Sequence, residues 1–456
     1  MRESVGQEVK TVREKIPQFV RSIMEEMLCA GHEVYCVGGC VRDLLMGKIP
    51  HDWDLTTSAR PEETMAVFGS RAIPTGLQHG TVTVLGEGGK AEITTYRVDG
   101  AYLDHRHPLQ VQFSSELRED LCRRDFTVNA MAMSIDGAVT DLFGGKEDLA
   151  GGVIRCVGKA EERFEEDALR IMRGLRFAAV LGFSVEEETG RAMREKKDLL
   201  RSIAAERLSE ELTKLVCGDH ILPVLLGFGD VLGTFIPEIL PCIGFDQKSR
   251  FHCYDVWEHS VRSMMHVAPE KHLRYHMMFH DLGKPLCFTE DERGGHYYGH
   301  TEISAGLAQN IMTRLRFDND TRRKVEILMK WHDVFFEPTE VSVGRVLSQI
   351  GAERLQDVLD AKRADNSAKR KEGLERAQEP WNKAEEILRK LVGEDACVTL
   401  KQLALDGRDV MHLGLTGKAV GEMLEKLLGA VIEGALANER EALLSAARQE
   451  MMRKDN

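Results

Sequence analysis

The chain has 456 residues, and its 43% hydrophobic and 30% charged content is typical of a globular protein rather than a fibrous or disordered one. The formal charge of −13 argues against binding of nucleic acid by the whole surface, so any such binding would need a local basic face on an acidic body. No apolar run approaches the ~20 residues that cross a bilayer, and ten cysteines without a CxxC pair predict reduced thiols, a cytoplasmic location and no membrane partner.

The first third of the chain is predicted to be a mixed α/β region. Residues 1–33 contain a lead-in helix with apolar positions at helical spacing, among them Ile16 and Ile23. Glycine-punctuated strands follow over residues 34–155, in HEVYCVGG, GTVTVLG, AEITTYRV, VNAMAMSI and VIRCVG. From residue 156 onward the pattern is helical. The sequence therefore predicts an α+β fold in which a small mixed sheet precedes an all-helical remainder.

The sharpest local feature is the string GGCVRDLLMGKIPHDWDL, which begins at Gly38. Gly38 and Gly39 follow an apolar strand and let backbone N–H groups approach a triphosphate closely. Arg42 adds a planar donor fork for phosphate. Asp52 and Asp54 stand two apart in an extended segment, so their carboxylates point to one side and suit two Mg²⁺ ions, one at an attacking hydroxyl and one at the triphosphate.

This string resembles the signature of polymerase-beta-type nucleotidyltransferases, in the form carried by class II tRNA nucleotidyltransferases and bacterial poly(A) polymerases. The resemblance implies a nucleotidyltransferase head over residues 34–155, with Asp52 and Asp54 as the catalytic ligands of Mg²⁺. The superfamily usually has a further carboxylate on a neighbouring strand, and Glu92 is the candidate. An ordinary exposed strand residue is the alternative for Glu92.

The stretch DLCRRDFTVNAMAM places Arg123 and Arg124 beside Asp125. It resembles the RRDFTxNA motif, which the family uses at the nucleotide sugar and phosphates. Arginine neutralises phosphate, and a carboxylate accepts from a ribose hydroxyl. A surface salt bridge between Arg124 and Asp125 is the alternative. DLFGG, which begins at Asp141, resembles the hinge motif between head and neck, or forms an ordinary turn.

Charged residues recur at three- and four-residue steps in RFEEDALRIMRGLRF, which predicts that they share one side of a helix. They are Glu166, Asp167, Arg170, Arg173 and Arg176. The stretch resembles the EDxxR motif, in which protein side chains replace a nucleic-acid template. A salt-bridged exposed helix is the alternative. The resemblance implies that Arg173 and Arg176 hold the triphosphate.

Hydrogen-bond chemistry explains how one pair of side chains can select two bases. Asp167 can only accept and favours the exocyclic amino group of cytosine or adenine, whereas Arg170 can only donate and favours the adjacent ring nitrogen. Uracil and guanine reverse both polarities, at ~1–3 kcal/mol for each buried group left unpaired. The pair therefore selects C and A together against U and G.

Two further stretches bear on which nucleotides are added and how the neck is built. The loop VDGAYLDHRHPLQVQF contains Asp104, Arg106 and Pro108, which fit a DxRxP pattern. The family has a flexible loop there that helps the switch from C to A, so its full length favours complete CCA addition. IAAERLSEEL resembles the next family motif, in which Glu206 and Arg207 are expected to brace the neck.

Histidines gather in the helical region after residue 218, in WEHSVRSMM, MFHDLGKP, GHYYGH and KWHD. The candidate metal ligands are His259, His280 and Asp281, joined by His296, His300, His332 and Asp333. The grouping resembles an HD domain, which implies a transition-metal site and a phosphohydrolase acting on 2′,3′-cyclic or 2′-phosphate ends. Asp360 and Asp365 both stay open as the closing carboxylate.

The resemblance as a whole implies a head over residues 34–155, a base-reading neck over 156–217, a body with the HD-type domain over 218–365 and an RNA-binding tail over 366–456. The glycines of the tail either contact RNA phosphate or form a packing turn between helices. They are Gly414, Gly417 and Gly421. The implied enzyme adds C, C and A to the tRNA 3′ end from CTP and ATP without a nucleic-acid template. The 3′-hydroxyl attacks the α-phosphate in line and pyrophosphate leaves.

The partners implied are the acceptor arm of tRNA, ATP and CTP, with no DNA and no membrane. An A-adding tRNA nucleotidyltransferase and a poly(A) polymerase are the enzymatic alternatives. The short tail ARQEMMRKDN, with its mixed charge, argues against the second. From another class, an HD-domain phosphohydrolase with an RNA-binding head is the alternative, and the intact pair Asp52 and Asp54 argues against it.

Overall fold

The computed structural model describes residues 15–99, 111–249, 252–292, 294–370, 374–394 and 396–454. The predicted C-to-A loop residues Asp104, Arg106 and Pro108 lie outside these ranges. The chain divides into two compact units, with the boundary between Pro237 and Glu238.

A seven-stranded mixed sheet forms the frame of the first unit. The strands of this unit are β1 Val34–Val37, β2 Asp54–Thr57, β3 Ala72–Gly76, β4 Thr81–Gly86, β5 Gly89–Thr95, β6 Arg97–Asp99, β7 Val111–Phe113, β8 Met131–Met133, β9 Val139–Asp141, β10 Val153–Ile154 and β11 Ser184–Val185. The sheet order is β3-β4-β5-β2-β1-β8-β9, and β6 with β7 and β10 with β11 form separate pairs. Strands β2 and β5 are parallel, whereas the other neighbours in the large sheet are antiparallel. The predicted small mixed sheet is therefore confirmed.

Helices cover the sheet and continue beyond it. The helices of the first unit are α1 Gln18–Cys29, α2 Gly39–Leu45, α3 Pro61–Phe68, α4 Leu117–Cys122, α5 Gly145–Gly151, α6 Ala160–Glu166, α7 Leu169–Leu181, α8 Glu187–Glu195, α9 Ala205–Val216, α10 Ile221–Gly227 and α11 Gly229–Leu232. Helix α1 buries Val20, Ile23, Met24 and Met27, which recur every three or four residues. The predicted lead-in helix is thus confirmed, and it packs on one face of the sheet.

The period-two alternation of β1 divides its side chains between two cores. Val34 and Cys36 join the large cluster that includes α1. Val37 points the other way, into a smaller cluster with Leu121. Because Cys36 is paired with Leu55 in antiparallel register, the end of β1 lies beside the start of β2. The glycine turn and the predicted aspartate pair are therefore brought to one edge of the sheet.

The second unit is built mainly from helices. These are α12 Val256–Met264, α13 Lys271–Phe279, α14 His300–Arg314, α15 Asn319–Trp331, α16 Glu340–Ile350, α17 Ala352–Ser367, α18 Leu374–Gly393, α19 Gly407–His412, α20 Lys418–Ile432 and α21 Arg440–Lys454. Short 3₁₀ segments of one or two turns are Gly69–Arg71, Leu77–His79, Thr127–Asn129, Lys197–Ser202, Pro237–Cys242, Lys284–Leu286 and Leu400–Gln402. No helix in the described ranges is both long and apolar enough to span a bilayer.

The predicted helical remainder beyond the head is confirmed except in two short places. β11 pairs with β10, which lies in the predicted strand segment VIRCVG, and a hairpin in the second unit joins β12 Thr289–Asp291 to β13 Gly294–His296. Gly294 has φ +119°, a backbone conformation that only glycine adopts readily, so the turn rests on this residue. The hairpin is too short for an alternating pattern to reveal it.

Candidate functional site

Three carboxylates meet at the edge of the head sheet. The parallel register of β2 and β5 pairs Asp54 with Glu92, so the two side chains stand next to each other, as predicted. Asp52 precedes the strand by two residues. Burial raises the pKa of Asp54, and the charges of Glu92 and Asp52 raise it further against the opposing effect of Arg124. This crowding of negative charge is the arrangement that a divalent cation neutralises.

The glycine turn lies under two arginines. Gly38 has φ +79° and immediately precedes α2. A side chain there would carry its Cβ to 3.2 Å from Nη1 of Arg124, and one at Gly39 would come within 3.6 Å of Nη2 of Arg42. Both the backbone angle and the close approach therefore require glycine at position 38.

Arg42, predicted to contact phosphate, is buried and already bonded within the protein. Its Nε and Nη2 donate to Asp43, and its Nη1 donates to Asn129 at 2.7 Å. The guanidinium lies 5.2 Å from the ring centre of Phe177. Arg42 thus joins α2, the RRDFT stretch and α7, and its first effect is to hold these three segments together.

Asp120 is a site residue that the sequence reasoning missed. Its buried carboxylate accepts from Thr56 at 3.0 Å, from Nη2 of Arg123 at 2.6 Å and from Nη2 of Arg124 at 3.1 Å. Burial alone would raise the pKa of Asp120, but the two arginines lower it below its ordinary value. The carboxylate fixes both guanidinium groups beside β2. The spacing of three and four residues from Asp120 to the arginine pair was the available signal.

Asp125 pairs with a distant arginine rather than with its neighbour Arg124. Its carboxylate accepts two hydrogen bonds from Arg173, at 2.8 and 2.6 Å, and one from Asn129 at 3.3 Å. Burial would raise the pKa of Asp125, but Arg173 and, more weakly, Arg170 lower it to about 2. The predicted alternative of a local salt bridge with Arg124 is wrong, because Arg124 is held by a different carboxylate.

The EDxxR stretch does not form the single helix that was predicted. Helix α6 ends at Glu166, and Asp167 is extended, with φ −138° and ψ 102°. The Asp167 carboxylate accepts from the backbone N–H of Leu169 at 3.0 Å, so it caps α7. Arg207 lies 3.4 Å from the same carboxylate, which fits its predicted bracing role.

Arg170 is buried and points back toward the RRDFT stretch. Its Nη1 donates to Glu166 at 2.6 Å, and its Nη2 donates to the backbone carbonyl of Arg123 at 2.9 Å. Arg176 lies 3.2 Å from Glu211 and covers the ring of Phe177. The neck arginines are thus all engaged with protein groups in this structure.

The DLFGG segment forms a tight cap, in line with the turn that its sequence allowed. The Asp141 carboxylate accepts from the backbone N–H groups of Phe143, Gly145 and Lys146, at 2.8 to 3.2 Å. A Cβ on Gly145 would lie only 2.3 Å from the backbone oxygen of Thr127. This glycine therefore permits α5 to pack against the RRDFT segment.

A second group of polar residues lies inside the helical unit. It contains two triads whose ligand atoms lie within 4.8 Å of one another: His259, His280 and Asp365, and Asp281, His300 and His332. Asp281 contacts both triads, because its Oδ2 is 3.2 Å from His280 Nε2 and its Oδ1 is 3.7 Å from His300 Nε2. We call these six residues the histidine cluster. The predicted ligands His259, His280 and Asp281 are thus brought together.

The backbone orients four imidazoles of the histidine cluster in the same way. The Nδ1 atoms face the carbonyl oxygens of Ala368, Met277, Tyr297 and Met329, for His259, His280, His300 and His332 respectively, at 2.8 to 3.3 Å. A carbonyl oxygen only accepts, so each Nδ1 is the protonated nitrogen. Nε2 is then the nitrogen of each ring that can turn to a metal ion, which is how proteins prepare histidines for metals. At His280, burial is outweighed by the charges of Asp281 and Asp365, which raise the pKa to about 9.

Burial keeps several of these rings neutral. It lowers the pKa of His259 and His276, and it lowers the pKa of His332 to about 4. His276 was missed, although it stands four residues before His280 on one helix. Within the described residues, neither ring nitrogen of His276 has a hydrogen-bond partner. Such a buried polar group is costly and suits a site completed by an ion.

The remaining histidine-region candidates lie elsewhere. His296 pairs with Asp291 on the hairpin, and among the described residues Asp333 belongs to neither triad. Asp360 bonds to Gln356 and pairs with Arg363, which leaves Asp365 as the closing carboxylate. Two lysines missed by the sequence reasoning, Lys284 and Lys369, pair with the cluster carboxylates at 2.6 and 2.7 Å.

The mixed sheet, its edge of three carboxylates and the glycine turn define a nucleotidyltransferase head. Residues 34–155 match the family described as the Poly A polymerase head domain. Residues 182–226 match an RNA and SrmB binding site of polymerase A, and residues 300–447 match domain 2 of tRNA nucleotidyltransferases.

A CCA-adding enzyme of Bacillus cereus is 32% identical over 431 residues, covering 92% of this chain and 96% of the relative. The chain belongs to the family of CCA-adding enzymes, a family that is metal-dependent. The match to a CCA-adding enzyme of Lactiplantibacillus plantarum is 49% identical over 232 residues and covers about half of each protein, 51% of this chain and 56% of the relative. The solved structure of a Bacillus stearothermophilus CCA-adding enzyme in complex with CTP is also similar, with a TM-score of 0.73 and 28% identity over 96% of this chain and 98% of that one.

Proposed function

We propose that this chain adds C, C and A to the 3′ end of tRNA from CTP and ATP without a nucleic-acid template. The observation that carries the proposal is the pairing of Asp54 with Glu92, with Asp52 alongside, next to a glycine turn covered by Arg124. Crowded carboxylates and an arginine-covered turn suit a divalent cation and a triphosphate respectively. The Bacillus cereus relative, a CCA-adding enzyme that the chain matches over nearly its whole length, supports the choice of reaction.

The carboxylates Asp52, Asp54 and Glu92 would hold two Mg²⁺ ions. Bound there, the ions supply Lewis acidity that favours an ionised 3′-hydroxyl and neutralises phosphate charge. The 3′-oxygen forms a bond to the α-phosphorus of CTP or ATP. The bond from that phosphorus to the bridging oxygen breaks, pyrophosphate leaves, and the hydroxyl proton passes to solvent.

The surrounding arginines provide a preorganised, positively charged surface that would bind the triphosphate. Asp120 holds both Arg123 and Arg124, and Arg124 lies at the glycine turn, so these guanidinium groups need little rearrangement. Arg42, Arg173 and Arg176 contribute charge from positions already fixed by acidic partners. Asp125 is held next to Arg173, where it can accept from a ribose hydroxyl.

Base selection is assigned to Asp167 and Arg170. Both lie at the junction of α6 and α7, and Arg207 holds the Asp167 carboxylate there. A cytosine or adenine edge would take over the bond that Glu166 now makes with Arg170. An acceptor and a donor placed one turn apart select the amino-bearing bases, as the hydrogen-bond inventory requires.

The tRNA is proposed to bind through its acceptor arm. All ten cysteines are free thiols in the structure, which supports the proposed cytoplasmic location. No DNA or membrane partner is invoked.

The test is an extension assay. The protein is incubated with Mg²⁺, a tRNA that ends before CCA, and each labelled triphosphate alone and in combination. We expect two additions with CTP, a third when ATP is also present, and none with UTP or GTP. Addition of ATP alone to a tRNA ending in CC, without use of CTP, would instead identify an A-adding enzyme. A long A tract would identify a poly(A) polymerase.

A second activity is favoured by the histidine cluster. Four Nε2 lone pairs and two carboxylates converge there, and imidazole-rich sets prefer transition metals over Mg²⁺. The cluster would hold such ions, which supply a nucleophilic hydroxide for hydrolysis when bound. We propose a phosphohydrolase acting on 2′-phosphate or 2′,3′-cyclic phosphate ends. For a 2′-phosphate, water bonds to phosphorus, the ester P–O bond breaks, and the leaving ribose oxygen takes a proton.

Metal content and phosphate release test this second activity. The purified protein is loaded with Mn²⁺, Ni²⁺ or Zn²⁺, its bound metal is counted, and an RNA with a 2′-phosphate end is supplied. We expect tight binding and release of phosphate. Protein that retains no metal after dialysis and releases no phosphate would contradict the assignment.

A further inference from the structure

The two most exposed aromatic side chains of the described residues lie beside one site. Tyr298 is 79% exposed and Phe335 is 66% exposed. Tyr298 precedes His300 by two residues, and Phe335 follows His332 by three. The rings of His300 and His332 are 6.0 Å apart. At ~3.3 Å per residue, both aromatic residues start within ~10 Å of His300 and His332, two half-buried ligands of the cluster.

The backbone under Tyr298 is fixed. The neighbouring Tyr297 hydroxyl donates to the carbonyl of Gln247, and the Tyr297 carbonyl accepts from Nδ1 of His300. The Tyr298 ring is stacked on His296, with 5.6 Å between ring centres and 8° between planes. One face of the tyrosine is therefore supported by the protein, while most of the side chain stays open to solvent.

Phe335 is presented in a similar way. Lys362 donates to the carbonyl oxygens of His332 at 2.6 Å and Val334 at 2.8 Å, which fixes the loop. Trp381 packs edge-on against Phe335, with 5.8 Å between ring centres. A large aromatic ring that stays exposed on a rigid support contributes little to the stability of the fold. It is suited to binding because few rotamers are lost when a planar ligand stacks on it.

We propose that Tyr298 and Phe335 are base-stacking platforms that make the histidine cluster select phosphates attached to a nucleoside. The inference rests on the proposed hydrolase function of that cluster. The phosphate would lie at the cluster ligands, where Lys284 and Lys369 add positive charge. The adjacent base would stack on Tyr298, and the preceding base of an RNA would stack on Phe335. Stacking tolerates every base because each has a π face.

Uridine compounds separate this site from the head, which is expected to reject uracil. The Mn²⁺-loaded full chain is offered the dinucleotide UpU carrying a 2′-phosphate on its terminal ribose, and the same molecule lacking its terminal base. Where phosphate is released, the ratio of kcat/KM measures base preference. Where none is released, equilibrium dialysis measures the ratio of Kd values.

We expect the wild type to prefer the terminal base by about tenfold or more, as ring–base stacking predicts. Tyr298→Ala should remove most of this preference, mainly through KM or Kd, and Tyr298→Phe should retain it. Neither change should alter metal content or hydrolysis of glycerol 2-phosphate, which has no base. Leu286→Ala, at a 63% exposed apolar position in the same unit, is the matched control.

Absence of any base preference in the wild type would overturn the proposal, and so would an equal loss in Leu286→Ala and Tyr298→Ala. Base preference without phosphate release would refute the hydrolase function and leave the platform in place. Free 2′-UMP tests whether the ligand is a mononucleotide or an RNA end. Equal use of 2′-UMP and the 2′-phosphorylated dinucleotide indicates a nucleotide site held by Tyr298, whereas a preference for the dinucleotide that Phe335→Ala abolishes indicates an RNA end.

Discussion

The head site and the histidine cluster are both rich in charge, but they neutralise it differently. In the head, most arginines are paired with carboxylates, while Asp52, Asp54 and Glu92 crowd together. In the cluster, four imidazoles and two carboxylates lie together, with a lysine on each carboxylate. The first arrangement suits oxygen-bound Mg²⁺ and a mobile triphosphate, and the second suits tightly held transition metals. We therefore propose that one chain carries two metal sites of different chemistry.

The largest expected effect is the loss of nucleotide addition, without loss of phosphate release, when a carboxylate of the head site is replaced. Asp54→Asn should lower CTP and ATP addition at least about 1000-fold, because a carboxylate ligand of Mg²⁺ is lost. Release of phosphate from a 2′-phosphate end should be unchanged. Primer extension and phosphate release measured on the same preparation check both statements. Glu87→Gln, at an exposed hairpin position, is the control, and near-normal addition by Asp54→Asn would contradict the assignment.

A substitution in the histidine cluster should impair the hydrolase activity and leave nucleotide addition intact. His280→Ala should reduce bound transition metal and phosphate release by at least about 100-fold, since a direct ligand is removed. Nucleotide addition should stay within about twofold of wild type. Atomic absorption and the extension assay measure the two outcomes. His266→Ala, an exposed histidine of the same unit, should change neither. A parallel loss of nucleotide addition in His280→Ala would show that the sites are not independent.

A smaller effect, on the choice between bases, is expected from a substitution in the neck. Arg170→Ala should lower discrimination for CTP over UTP by about tenfold to a hundredfold while some transfer remains, because one base-reading donor is lost. The ratio of kcat/KM values for the two triphosphates reports it. Arg191→Ala, on an exposed face of α8, should keep the wild-type ratio. Unaltered base choice in Arg170→Ala would remove this residue from the proposed reader.

Acid stability tests the buried pair between Asp125 and Arg173. The pKa of Asp125 is lowered from 3.8 to about 2, so its stabilising effect is present above pH 4 and is lost as pH falls toward 2. The linkage amounts to about 2 kcal/mol. Urea unfolding at pH 2, 3, 4 and 5 should show a flatter dependence in Asp125→Asn than in wild type. Glu87→Gln should keep the wild-type slope, and an unchanged slope in Asp125→Asn would show that the pair is not the cause.

Local patterns predicted much of the head. The strand segments and the lead-in helix follow from alternation and helical spacing. The placement of Glu92 on a strand beside Asp54 followed from the family resemblance, because alternation alone left an ordinary exposed residue as the alternative. The break at Asp167 did not follow, because the charge spacing continues across it. At the break the Asp167 carboxylate accepts from the backbone N–H of Leu169, a local bond that competes with helix continuation.

By itself, the sequence determined which residue types stand together locally: the glycine turn, the aspartate pair, the RRD and EDxxR runs and the HD dipeptide. Tertiary structure alone decided which charges meet. Asp125 pairs with an arginine 48 positions away, and His259 meets Asp365 across 106 positions. The physical reason is that a carboxylate bonds whichever donor packing brings within about 3 Å. Spacing along the chain sets the face of a helix or strand but not the partner that the face meets.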